Sequence, residues 1–318
     1  MRTETIYNRF LKEIEKQLPQ KAKRTSVLAD ILSIEKEAVY RRLRGEVPFT
    51  FNEIILLSNK FNISIDNIIG ITSEKSRPLQ FKMADYVDAF DIDYKMIEEY
   101  IDVLETSKAE NSEIIEATNL IPQAIVFKYD LLSKFYLFKW DYHYNQSFLT
   151  FDSFQLSKKL ITLMSRISSS SKKCYNTTYI LDPLIINYLT TDIRCAYSMH
   201  LISDANLKII KQELHSMVNY IELIAQKGVF TETNQNINIY ISSINLDTSY
   251  TYIQTPMHSL SMVKAFILSA MASFDKKTMD KTKTWIQSLK RTSTLISITG
   301  EKQRISFCNK QRKLIDQL

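Results

Sequence analysis

Glycine and proline are scarce in this chain, four and six in 318 residues. A backbone with so few breakers suits helices joined by short turns, and it excludes collagen-like or low-complexity architecture. It also leaves no Gly-rich phosphate cradle to assemble locally. Gly300-Glu301-Lys302 lacks an upstream glycine and is followed by Gln303, so it reads as a turn that starts a helix. Cysteine is rare too. Cys174, Cys195 and Cys308 lie far apart with no CxxC, the pattern of reduced thiols in a cytoplasmic protein. His143, His200, His215 and His258 form no HxxxH or HExxH, so neither a metal site nor a cofactor is expected. Long apolar runs are missing: the richest, Met262 to Phe274, is interrupted by Lys264 and is too short to span a bilayer. The opening MRTETIYNRF has no apolar core, so a signal peptide is not expected, and neither is a membrane partner.

Charge of one sign does not dominate. The net charge is +6, and the excess sits at the ends: residues 1–70 carry net +3, 71–275 net −5 and 276–318 net +8. Such a distribution permits a nucleic-acid partner without requiring one.

What is present is helical periodicity. Thr5 to Leu18 sets Ile6, Phe10, Leu11, Ile14 and Leu18 on one face, and Pro19 ends it. Thr25–Leu32 and Glu35–Arg44 follow, separated by Ser33 and Ile34. Phe51–Phe61 opens with Thr50 and Glu53 in capping-box spacing, and a short fifth helix over Ile65–Ile69 has Ser64 as its cap and Gly70 as its stop. Residues 71–78, polar and ending in Pro78, read as a linker. Beyond it, Leu79, Phe81 and Met83 alternate as in a strand. Helices are expected over Asp93–Lys108, Ile121–Tyr144, Phe154–Ile167, Pro183–Ile202, Asn206–Lys227, Thr278–Leu289 and Glu301–Ile315. Ile237, Ile239 and Ile241, a turn at 245–248, and Tyr250-Thr251-Tyr252 predict a β-hairpin. The tract Ser168 to Lys173 reads as an exposed loop.

The aromatic run Phe135 to Tyr144 admits two readings, the wall of a ligand pocket or packed core, with core the more favoured. Asp141 and His143 stand in it without a nucleophile or third partner nearby, so no enzyme is expected. The basic helices near the end have Trp285, Ile286 and Leu289 at helical spacing and read as packed on one face and solvated on the other.

The chemistry concentrates in residues 28–45. Two helices meeting through a three- or four-residue turn need a small residue at the contact, and Ala29 supplies it. Leu28, Leu32, Ile34, Val39 and Leu43 are the apolar positions that join them, and Gly45 ends the second helix. Glu35, Lys36, Glu37, Tyr40, Arg41 and Arg44 remain for solvent, long and polar as a helix entering a major groove requires.

These residues, with Tyr40-Arg41-Arg42-Leu43-Arg44-Gly45-Glu46-Val47-Pro48-Phe49, then Ile54, Leu57 and Phe61, then Ile63 to Ile69, resemble the λ-repressor/Cro-like (XRE-type) helix-turn-helix regulators over residues 25–70. The sequence departs from that pattern at Ser33, where glycine is frequent, at Arg42, where an apolar residue is usual, and at Thr25, where glutamine is usual. The resemblance implies that Lys36, Glu37 and Arg41 face base edges and that Thr25, Tyr40 and Arg44 touch the DNA backbone. It implies a mainly α chain with an N-terminal five-helix λ-repressor-like DNA-binding domain over 1–70. After the linker over 71–78, a larger helix-rich α+β domain with a small sheet over 79–318 would serve dimerisation or sensing. The expected function is sequence-specific, cytoplasmic transcription regulation on double-stranded DNA as a homodimer, with a small molecule or peptide as a candidate ligand of the second domain. The alternative is a helical interaction or scaffold protein without DNA binding.

Overall fold

The computed structural model describes residues 5–61, 63, 65, 68, 80–82, 89–144, 149–265 and 270–318. The chain divides into two compact units, Met1–Pro78 and Leu79–Leu318.

The first unit is built from α1 (Ile6–Gln17), α2 (Lys21–Leu32), α3 (Lys36–Leu43) and α4 (Phe51–Phe61). Thr5 caps α1 by accepting from the Asn8 amide. The capping box of α4 is formed: the Thr50 amide donates to Glu53 at 2.7 Å, and the Glu53 amide donates to Thr50 Oγ1 at 3.3 Å. Phe10, Ile14, Leu28, Ala29, Val39, Phe49 and Leu57 pack as one core. The expected start of α2 at Thr25 is corrected. The helix opens four residues earlier, because Lys21, Ala22, Lys23 and Arg24 are all adequate helix formers once Pro19 has ended α1. The fifth helix expected over 65–69 falls mostly, and the linker over 71–78 wholly, outside the described residues.

The second unit runs β1 (Gln80–Lys82), α5 (Asp91–Thr106), β2 (Glu113–Thr118), α6 (Gln123–Val126), α7 (Asp130–Tyr144), α8 (Lys158–Ser171), β3 (Asn176–Leu181), α9 (Ile185–Ser198) and α10 (Asp204–Lys227). It continues through β4 (Asn236–Ile241), β5 (Tyr250–Gln254), β6 (Ser259–Lys264), β7 (Ala270–Ser273), α11 (Lys276–Thr292), β8 (Thr294–Leu295) and α12 (Glu301–Asp316). The protein is mainly helical with a sheet, but the sheet is not small: eight strands in the order β1-β7-β6-β5-β2-β3-β4-β8. Strands β2, β3 and β4 run parallel, and the rest pair antiparallel.

Two expectations fail here. The strands around residues 237 and 252 exist, but they are not a hairpin. β4 pairs with β3 and β8, whereas β5 pairs with β2 and β6, so two strands separate them. The link between β4 and β5 serves the sheet instead: the Leu246 amide donates to Asp182 Oδ2 at 2.6 Å and tethers that link to the end of β3. The tract 168–173 is not an exposed loop either. Ser168, Ser170 and Ser171 are buried at the end of α8, where Ser168 donates to the Ala124 carbonyl at 2.9 Å, and Lys172 is buried against Glu232 at 3.1 Å.

One sheet face meets a large helical core that includes Ile114, Tyr179, Ile239, Ile253, Phe135, Phe138, Phe151, Leu214 and Ile221. The aromatic run thus packs as core for the most part, with Phe138 against Phe151 and Phe154 at ring separations of 5.5 and 5.7 Å. On the other face Ile115, Ala117, Ile180 and Tyr252 bury Met279, Ile286 and Leu289 of α11, while Lys276, Lys277, Lys281 and Arg291 remain in solvent. Gly228 ends α10 in the left-handed region at φ 68°. Among the described residues, no helix is long and apolar enough to cross a membrane.

Candidate nucleic-acid interface

Helix α2 stops because Ser33 turns left-handed, φ 54° and ψ 43°, with its amide bonded back to the Ala29 carbonyl. A serine there carries a modest strain that glycine would not, of about 1 kcal/mol. Ile34 donates to the same carbonyl at 3.2 Å, and Glu35 in extended conformation starts α3. This three-residue break leaves α2 and α3 in contact through Leu28, Ala29 and Val39, of which Leu28 and Val39 are fully buried and Ala29 is 7% exposed. The arrangement is two short helices joined by a tight turn. It presents Glu35, Lys36, Glu37, Tyr40, Arg41 and Arg44 outward.

Arg42 was the anomaly of the sequence, a cation where an apolar side chain is usual. Its side chain is 16% exposed and points at α4. Nη2 lies 3.0 Å from Glu53 Oε1, Nε donates to Glu53 Oε2 at 3.1 Å, and Nη1 donates to the Ala38 carbonyl at 3.2 Å. A bidentate pair replaces the apolar contact and fixes the rotation of α3. Tyr7 adds a second stitch: its hydroxyl donates to the Arg42 carbonyl at 3.0 Å and accepts from the Phe49 amide at 3.1 Å. Burial raises the Tyr7 pKa despite the Phe49 contact. Burial also pushes the Glu53 carboxyl up, but hydrogen bonds from Arg42 and Thr50 outweigh it and hold the pKa below the ordinary value.

The outward face is charge-balanced. Arg44 lies 4.5 Å over the Tyr40 ring, 3.3 Å from Glu46 and 4.0 Å from Glu37; Arg41 lies 3.6 Å from Glu46. Gly45, at φ 78°, makes this possible by reversing the chain after α3, so that the Glu46 amide bonds to the Arg41 carbonyl at 3.0 Å. These ion pairs are exposed and cost little to exchange for another partner.

Five of the six expected site residues therefore share one exposed surface: Lys36, Glu37, Tyr40, Arg41 and Arg44. Thr25 does not join them at a helix start; it is half-buried inside α2. The first turn of α2 instead exposes Lys21 and Lys23, which the sequence reading passed over although Pro19 two residues earlier marks a helix start. Arg24 beside them is internal, donating to the Leu18 carbonyl at 2.8 Å and pairing with Glu15 at 2.7 Å.

Residues 3–114 match the BetR domain family model. That finding corrects the family resemblance. BetR is a distinct family, and the λ-repressor/Cro-like (XRE-type) assignment of residues 25–70 is overturned. The match runs past the first unit, through α5 and into β2, so it is not confined to the N-terminal helices. No curated protein and no solved structure matches the chain.

Proposed function

We propose that the protein is a sequence-specific DNA-binding regulator in which α3 enters the major groove. The observation that carries this reading is the outward face of α3. Lys36, Glu37, Tyr40, Arg41 and Arg44 project from a short helix held rigid by Val39 and by the Arg42–Glu53 pair. Such a helix can set an arginine bidentately on guanine and a glutamate against cytosine. Lys21 and Lys23 at the start of α2, with Tyr40 and Arg44, are suited to phosphates. One head reads one half-site, so the reading includes a homodimer on a near-palindromic operator, with residues 79–318 supplying self-association or ligand sensing. It also includes a cytoplasmic location, in which Cys174, Cys195 and Cys308 stay as free thiols.

Selection of duplexes from random DNA by the purified protein tests the reading, and an enriched motif is expected. On that motif Arg41→Ala should cost about 1–3 kcal/mol and relax one base position. Arg44→Ala should weaken all duplexes alike and lower the salt slope by about one. No enriched motif, or two mutants equal to the parent on every duplex, would refute it.

A second reading has an observation of its own. On α4, Phe51 is 72% and Leu56 46% exposed, with Ile55 beside them, which favours a protein-binding head. Retention on heparin that falls steeply with salt separates DNA binding from that scaffold role.

A further inference from the structure

Residues 276–318 carry net +8, against +3 for residues 1–70. Helix α11 holds six of the eleven Lys/Arg in that segment, with Asp280 as its one acid. Met279, Ile286 and Leu289 fix the side that packs on the sheet. At 3.6 residues per turn, the line opposite them is Lys277, Lys281, Thr284, Ser288 and Arg291, in steps of four and three residues. All but the half-buried Ser288 are exposed, and Lys276, also exposed, stands beside the start of the line. From Lys277 to Arg291 it runs about 21 Å.

Among the described residues, Lys276, Lys277, Lys281 and Arg291 make no ion pair and no hydrogen bond through their side chains. The cations on the flanks differ: Lys283 is taken by Glu113, and Lys290 lies 5.1 Å over the Tyr240 ring. Asp280 stands at the edge of the line and offsets one charge. On α3, by contrast, Arg41 and Arg44 share Glu46, and Glu37 lies 4.0 Å from Arg44. A protein that holds duplex DNA at ordinary salt neutralises about six to ten phosphates, more than a first unit of net +3 supplies unaided. The duplex carries a negative charge about every 1.7 Å of its axis, or about twelve over the length of this line. Thr284 and Ser288 donate their hydroxyl protons to the Asp280 and Trp285 carbonyls, so the face offers charge without a means of reading bases. A bilayer surface would need apolar side chains on the same line to enter the headgroups, and the line has none. Trp285 lies off it, with its ring 6.2 Å from that of Tyr250.

We infer that the outer face of α11 is a second contact with duplex DNA, made to the phosphate backbone and not to bases. The inference rests on the DNA-binding reading above for its partner. It adds a binding surface to the second unit, to which that reading gave only self-association or sensing.

The test compares three full-length proteins: the parent, a neutralised variant (Lys277→Gln, Lys281→Gln, Arg291→Gln) and a charge-preserving one (Lys277→Arg, Lys281→Arg, Arg291→Lys). Fluorescence anisotropy on the selected duplex and on a scrambled one gives log K against log salt. Neutralisation should flatten the slope by about two to three on both duplexes and weaken both about equally, with the selected motif unchanged. The charge-preserving variant should keep the parent slope. A neutralised variant with the parent slope overturns the inference. So does a charge-preserving variant as flat as the neutralised one, since the loss would then be one of packing. Binding of the parent to phosphatidylserine vesicles that neutralisation abolishes, with DNA slopes unchanged, would give the face to a membrane and overturn it equally. Failure of the α3 reading has a different signature: no motif is enriched and Arg41→Ala equals the parent, yet neutralising α11 still flattens the slope. A parent that binds no duplex at any salt sinks both.

Discussion

Replacing Arg42 by Met and Glu53 by Gln, singly and together, measures how firmly α3 is held. Two unit charges about 4 Å apart attract by about 4 kcal/mol at an effective dielectric constant near 20. Desolvation and the ordering of two long side chains take back most of that, since both are about 15% exposed. A coupling of about 1–3 kcal/mol should remain. Glu53→Gln keeps an acceptor for the Thr50 amide, so the capping box survives and the loss reports the charge. Native-state hydrogen exchange of the α3 and α4 amides in the full chain gives each free energy. The same pair predicts a pH response. The folded pKa of Glu53 lies below its ordinary value of 4.5, so its contribution is complete above the unfolded pKa and is lost as pH falls through the folded one. Protection of α3 should therefore decline in acid below about pH 4.5 in the parent, and less in Glu53→Gln. Free energies that add within about 0.5 kcal/mol, with acid profiles alike, would refute the claim that this pair sets the rotation of the helix.

Three further outcomes are expected. Ala29→Leu should overpack the crossing of α2 and α3 and cost about 1–3 kcal/mol by chemical denaturation; an unchanged midpoint would mean that the helices do not meet there. Gly228→Ala forces a side chain into φ 68° and brings Cβ to 2.6 Å from Ile298 Cδ1, for a loss of about 1–3 kcal/mol. In a second variant with Ile298→Ala, thermal melts should recover only the steric share. Glu46→Gln frees Arg41 and Arg44 from their shared carboxylate, so fluorescence anisotropy should show tighter binding to scrambled duplexes and a steeper salt dependence. Equal salt slopes in variant and parent would rule that out.

The first unit was legible because its signals are local. Thr50 and Glu53 announce a helix start three residues apart, Pro19 and Gly45 mark ends, and the polar positions of α3 fall where a 3.6-residue period puts them. Arg42 was misleading for the same reason: its partner Glu53 is local to α4, and no periodicity reveals that the two meet. In the second unit, β2 (EIIEAT) and β3 (NTTYIL) escaped notice. Central strands covered on both faces lose the polar–apolar alternation by which a strand is recognised, and here four of six and five of six residues are buried. The serines at 168–171 read as loop because composition says nothing about the Ala124 carbonyl that accepts one of them. The family was misread on a short helix-turn-helix pattern, whereas the BetR match extends over residues 3–114.

The strand order carries a consequence for how the second unit is made. Glu113 of β2 pairs with Asn176 of β3 on one side and with Gln254 of β5 on the other. During synthesis, β2 and β3 can join early, but the far edge of β2 stays open until residue 254 has left the ribosome. For that interval an apolar strand edge is a template for the same edge of a neighbouring nascent chain. Loop closure over such a separation also slows folding relative to a helical bundle of equal stability. Overproduced protein should accordingly be lost to aggregation at the stage of assembly, with yield rising as translation is slowed or temperature lowered.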